Sequence, residues 1–161
     1  MDTSVRALIE RLQLKPHPEG GYYRELYRAA SIVKPVDGRS ERHALTTIQF
    51  MIPSGEVSRW HRVASHEVWH HLDGAPLELF LCDPAYKQVT QHILGPLREG
   101  LQPELVVEPM HWQAARSTGA YSLVACVVGP GFDFTDFAML RDLPDERARM
   151  EQLHAAHSYL V

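Results

Sequence analysis

The chain has only two cysteines in 161 residues, Cys82 and Cys126. They lie far apart, each inside an apolar run. This excludes a disulfide framework or a cysteine-based metal cluster and leaves two reduced core thiols. Basic charge is not in surplus: 16 Lys and Arg against 20 Asp and Glu give a net charge of −4. No basic stripe offers itself to nucleic acid or to a membrane surface. No apolar run approaches the roughly 20 residues that a bilayer span requires. The N-terminal MDTSVRALIERLQL is interrupted by charges throughout, unlike a secretory leader. These absences predict a cytoplasmic protein that engages neither nucleic acid nor membrane. Helical patterns are also scarce. Val5, Leu8, Ile9 and Leu12 share one helical face before Pro16, with Thr3 or Ser4 as the cap, and Pro144 opens a second helix near the other terminus. No helices alternate with strands between them, which excludes a parallel α/β sheet.

The chain offers instead a succession of short β-rich runs punctuated by Gly and Pro. YYRELYRA reads as an edge strand with Tyr23, Glu25 and Tyr27 on one side, residues 31–44 as a polar loop, and TTIQFMI as a strand. Further strands follow in APLELFLCD, from Tyr86 to Leu94, in ELVVEP and in the strongly apolar YSLVACVVGP. About eight to ten such strands, joined by turns, predict one all-β domain over residues 1–161, a double-sheet jelly roll or barrel.

Chemically useful residues concentrate between Gly55 and Gly74, which reads as strand, turn and strand. Gly55 is followed by five residues and His61, one residue later by Val63, three residues after that by Glu67, and six residues on by Gly74. Strand alternation puts Arg59, His61 and Val63 on one face of the first strand. On the second, Glu67, Trp69 and His71 share a face, with His66 and His70 opposite. His17 and Glu19 precede the Gly20–Gly21 pair, in a loop that is either simple turn chemistry or a lid carrying Tyr22 or Tyr23 across a pocket mouth.

The Gly55–Gly74 spacing resembles the first signature of the cupin superfamily, with Val63 in place of the second His. The blocks HPEGGYYRE, SRWHR…SHEVWHHLDG…PLEL, VVEPMHWQAAR and VVGPGFDFTDF together resemble the uncharacterised cupin family DUF985, or Cupin_5, over roughly Leu12 to Met139. The resemblance implies a double-stranded β-helix, usually dimeric, with a pocket inside the barrel, and no established reaction. The second cupin signature aligns with Pro109 to Ala114, where His111 replaces a Gly and Ala114 replaces the metal-binding His. The metal set implied by the superfamily is thereby reduced to His61 and Glu67, too few donors for tight binding. No cofactor is expected beyond a weak divalent metal on that pair, with Gln49, His71 or His111 as the only stand-ins. Restoring Val63→His and Ala114→His is expected to rebuild the site.

The favoured reading is a barrel that binds a small polar molecule. Its lining is expected from Gln49, Arg59, His61, Glu67, Trp69, His71 and Trp112, the last on the same face as Ala114. An inward Arg59 favours an anionic group. A second reading is a metal-independent sugar epimerase or isomerase: His61 as base, oriented by Glu67, with Tyr23 or Tyr22 returning the proton. A third is a metal-dependent cupin enzyme with a reduced ligand set. A homodimer is expected, with residues 17–28 covering an exposed strand edge.

Overall fold

The computed structural model describes residues 2–161. Helix α1 (Thr3–Leu12) is capped by Asp2, whose carboxylate accepts from the Ser4 N–H at 2.8 Å, so the cap lies one residue before the expected Thr3 or Ser4. Gln13 closes it in the left-handed conformation. The strands are β1 (Lys15–Pro16), β2 (Tyr22–Arg28), β3 (Ile32–Val33), β4 (Arg42–His43), β5 (Thr46–Pro53), β6 (Val57–Val63), β7 (His66–Gly74), β8 (Leu77–Cys82), β9 (Val89–Leu94), β10 (Glu104–Val107), β11 (Trp112–Ser117), β12 (Tyr121–Gly129) and β13 (Phe137–Met139). Helix α2 (Pro144–Leu153) starts on Pro144, with Asp145 and Glu146 in its first turn, and a 3₁₀ turn over Ala155–Leu160 follows. The stretch expected as a loop over residues 31–44 contains the small β3–β4 hairpin.

Two antiparallel sheets face each other. One has the order β1-β2-β5-β12-β7-β10 and the other β13-β6-β11-β8-β9. The Gly55–Gly74 stretch crosses between them, because β6 lies in the second sheet and β7 in the first. Phe50, Ile52, Trp69, Leu77, Leu79 and Val124 fill one end of the space between the sheets. The outer faces are covered by the helices. Val5 and Ile9 of α1 pack on Met51 and Leu123, while Met150 of α2 and Leu160 pack with Trp60, Phe80, Trp112 and Ala114. Each such large apolar side chain contributes about 1.5–3 kcal/mol of burial, offset by the entropy of ordering it.

Three irregularities in strand pairing decide which side chains face inward. On β2, Glu25 and Tyr27 oppose the adjacent Ile48 and Thr47, so Leu26 is an extra residue. On β6, His61 and Ser58 oppose Gln113 and Ala115, three steps against two. On β7, Asp73 and His71 oppose the adjacent Leu123 and Val124, so Leu72 is extra. An extra residue reverses the alternation beyond it. Past the irregularity on β2, Arg28 rather than Tyr27 faces inward. On β6, Ser58 rather than Arg59 does.

Candidate functional site

The end of the inter-sheet space not filled by core side chains is a cavity of about 320 Å³. Thr46, Ile48 and Phe50 reach it from β5, His61 and Val63 from β6, Glu67 from β7, and Cys126 and Val128 from β12. Tyr23, Glu25 and Arg28 of β2 form one wall. Phe132, Asp133, Phe134 and Phe137, around the turn into β13, form another. That turn is clamped from outside: the Arg42 guanidinium donates to both Asp136 oxygens at 2.8 Å, and Arg39 donates to one at 2.7 Å.

The loop before β2 closes the cavity floor. Gly20 has φ +110° and Gly21 φ +66°, and a Cβ on Gly20 would lie 2.1 Å from the Val57 carbonyl oxygen, so this backbone fits only without a side chain. The Glu19 carbonyl accepts from the Arg59 N–H at 2.8 Å, tying the loop to β6. The loop is thus a fixed plug rather than a lid. It buries Glu19, whose carboxyl accepts from Ser58 Oγ at 2.8 Å and lies 3.2 Å from His61 Nε2 and 3.3 Å from His17 Nδ1. The His17 ring stands nearly perpendicular to Tyr23, centroids 4.6 Å apart. Burial pushes the Glu19 carboxyl up to about 8, and burial with the neighbouring His61 lowers His17 to about 3. Burial also lowers His61, against the pull of Glu67.

His61 and Glu67 both point into this cavity, as alternation expects, but they form no ion pair with each other; the ionisable partner of His61 is Glu19. Glu67 accepts from Gln113 Nε2 at 2.6 Å, and Gln113 Oε1 in turn accepts from Trp69 Nε1 at 3.0 Å. Burial raises Glu67, with the nearby Glu19 acting in the same sense, opposed by His61 and by the hydrogen bond from Gln113.

Tyr23 lines the cavity, whereas Tyr22 packs in the cluster under α1. The remaining expected lining residues lie elsewhere. Arg59 is turned aside by the β6 irregularity, its guanidinium against the Glu19 carbonyl at 3.5 Å. Gln49 alternates away from Ile48 and Phe50 and accepts from Arg24. Trp69 is core behind Gln113. His71 lies farther along β7, its Nε2 3.1 Å from the Ala75 carbonyl. Trp112 shares a face with Ala114, as expected, but that face packs toward α2 and its indole N–H donates to Tyr86 at 2.8 Å. His66 and His70 sit on the outer face beside Glu108 and Glu104.

The donor set does not fit the metal that the superfamily resemblance implies. Val63 faces the cavity without a donor atom, and Ala114 faces the opposite side of β11. A histidine there would enter the cluster beneath α2 instead of rebuilding a ligand set, which corrects the expected restoration. Gln113, the neighbour that does face inward, is already engaged with Glu67 and Trp69. Among the described residues no group of three or more His, Cys, Asp or Glu is arranged to hold a metal ion.

Glu19, His17, Glu25, Arg28, Gln113 and Cys126 belong to the site but were not singled out for it by sequence. The signal for Glu19 was a His-x-Glu-Gly-Gly run, in which two successive glycines announce a backbone squeezed between strands.

Comparison with known proteins follows the fold. No curated protein matches the chain. A hypothetical protein from Leishmania major superposes with a TM-score of 0.83 at 32% identity, covering 97% of this chain and 95% of that one. A Shewanella oneidensis protein gives 0.81 at 29% identity, with 100% and 96% covered. Oxalate decarboxylase from Bacillus subtilis gives 0.59 at 12% identity, with 85% of this chain and 33% of that one covered, a likeness of fold alone. Residues 6–140 match the family Cupin_5, described as Cupin superfamily (DUF985), and to this family the chain belongs.

Proposed function

We propose that the cavity binds a small molecule that is neutral or positively charged, with an apolar body and a polar end. The observation that carries this reading is the lining. Five aromatic rings, Tyr23, Phe50, Phe132, Phe134 and Phe137, surround a floor that carries Glu19, Glu67 and two histidines, with Glu25 and Asp133 on the walls. Such a mix of apolar wall and few convergent polar groups suits a small ligand. The anionic preference rested on Arg59, which lies outside. The one guanidinium that does line the cavity, Arg28, is already held by both oxygens of Glu25, at 3.0 and 2.7 Å. With Arg28 neutralised by Glu25 and Glu19 held neutral by burial, the lining offers an anion no free cation among the described residues, while Glu67 and Asp133 add further carboxyls.

The test is thermal stabilisation by a panel of small sugars, polyols, amines and carboxylates, repeated on Val128→Phe, which fills the cavity. At about 100 times Kd a binder contributes about 2.7 kcal/mol, a shift of roughly 5–10 °C for a chain of this size. Neutral or cationic compounds are expected to stabilise the unmodified protein and not the filled variant. Stabilisation confined to carboxylates, or retained in Val128→Phe, would refute the reading.

A further inference from the structure

The two ends of the cavity differ in chemistry. Its floor gathers the buried hydrogen-bonding groups Glu19, His61 and Glu67. Its mouth is walled by Phe132, Phe134 and Phe137, all from the short stretch leading into β13. Their ring planes stand at 82°, 66° and 82° to one another, with centroids 5.0, 5.8 and 6.0 Å apart. Planes so close to mutual right angles bound a corner, as adjoining walls of a box do. Phe134 is 57% exposed, so this ring does not serve to bury itself in the core. The corner is also built in advance of any ligand. The Arg39 and Arg42 clamp on Asp136 holds the stretch from outside, and Arg28 donates to the Phe132 carbonyl at 3.1 Å.

Charge at the same end is negative. The Asp133 carboxylate lies in sequence between two of the rings and lines the cavity with them. It accepts from the Thr135 hydroxyl at 2.6 Å and the Thr135 N–H at 2.9 Å, which hold it below the usual carboxylate range. The guanidiniums nearby are each matched by another carboxylate: Arg28 by Glu25, Arg42 by Asp136 and Arg39 by Asp37. Among the described residues Asp133 is thus left as an unmatched negative charge beside the rings. Aromatic faces are themselves negative and attract a cation. A primary ammonium has three N–H donors to satisfy on leaving water, and phenyl rings offer no acceptor. A methylated ammonium spreads its charge over methyl groups and sets no such demand.

We propose that the aromatic corner at the cavity mouth binds a methylated ammonium cation, tertiary or quaternary, on the rings of Phe132, Phe134 and Phe137, with Asp133 as its counter-charge. The inference rests on the small-molecule reading above and narrows the ligand to this one class. The cation occupies the mouth, and the uncharged polar end of the same molecule points to the floor. Arg28 is a positioning residue: it holds the Phe132 backbone while Glu25 offsets its charge.

Isothermal titration calorimetry with three probes tests this: choline, its neutral isostere in which a tert-butyl group replaces trimethylammonium, and ethanolamine. Choline is expected to bind at least about tenfold tighter than the isostere, which has the same shape without the charge, and tighter than ethanolamine. Phe134→Leu keeps an apolar side chain at an exposed position that tolerates substitution. It is expected to weaken choline several-fold and to leave the isostere unchanged. Asp133→Asn can still cap the turn through its side-chain oxygen and is expected to weaken choline alone. An isostere that binds as tightly as choline, ethanolamine that binds more tightly, or choline affinity unmoved by both variants overturns the inference. So does the absence of choline binding. The small-molecule reading is judged apart from these results. It stands if another neutral or cationic compound stabilises the unmodified protein and not Val128→Phe, and it falls with the inference if none does.

Discussion

Glu19 carries most of the weight at the residue scale, and its burial has a measurable consequence. Its carboxyl is raised from the ordinary 4.5 to about 8 in the folded chain, so between those values the folded state binds a proton that the unfolded state has released. The associated stability is present in full below about 4.5 and is lost as the pH rises through about 8. His17, lowered from 6.5 to about 3, acts in the opposite sense: its contribution is present above 6.5 and is lost as the pH falls toward 3. Between pH 6.5 and 8 the His17 effect has run its course. Melting temperatures over that window should fall for the unmodified protein and fall distinctly less for Glu19→Gln, which cannot titrate. Parallel slopes for the two proteins would show that Glu19 is ionised in the folded state. The sequence pointed only halfway to this residue. The double glycine marked an unusual backbone, but burial of Glu19 depends on β6 passing directly beneath it, a contact between positions about forty residues apart.

Elements were more legible than single positions, and the misreadings share one cause. Strand existence follows from β-branched and aromatic runs between Gly and Pro, and the strands from Thr46 to Gly129 fall close to where those runs lie. Inward and outward faces follow only as far as the alternation is unbroken. His61, Val63, Glu67 and Tyr23 lie on unbroken stretches and face the cavity. Arg59 lies within the irregular step on β6, between Ser58 and His61, and Arg28 replaces Tyr27 beyond the extra residue on β2. Nothing in the residue types marks these bulges, since they are properties of a strand pair. The outer edge of β2 carries a further expectation. β1 pairs only with Tyr22 and Tyr23, so among the described residues the rest of β2 has no strand partner on that side, and Leu26 and Tyr27 are about half exposed. An apolar free edge of this kind invites a second copy, and we propose that the chain forms a homodimer across it. Light scattering should give about twice 18.3 kDa, reduced to one chain by Leu26→Lys with Tyr27→Lys. A monomer mass for the unmodified protein at micromolar concentration would contradict this.

For the molecule as a whole, the two sheets and their covering helices follow from the order of apolar runs, and the family from the linear blocks that span most of the chain. The location of the cavity followed less fully. It lies at the end where β5, β6, β7 and β12 present His61, Glu67 and small apolar residues. The opposite end is filled by Trp69 and its neighbours, and the expected lining residues Trp69, His71 and Trp112 belong to that end or to the outer cluster. Among the described residues no helix is long and apolar enough to cross a membrane. The proposed ligand site is the space between Tyr23, His61, Glu67 and Phe137. The most direct test is a crystal structure of the protein with whichever neutral or cationic compound gives the largest stabilisation that Val128→Phe abolishes. Electron density for that compound between the aromatic walls, with a polar group within hydrogen-bonding distance of Glu19 or Glu67, is the predicted result; density at the outer groove near Glu78 and Arg116, with the inner cavity lacking the compound, would contradict it.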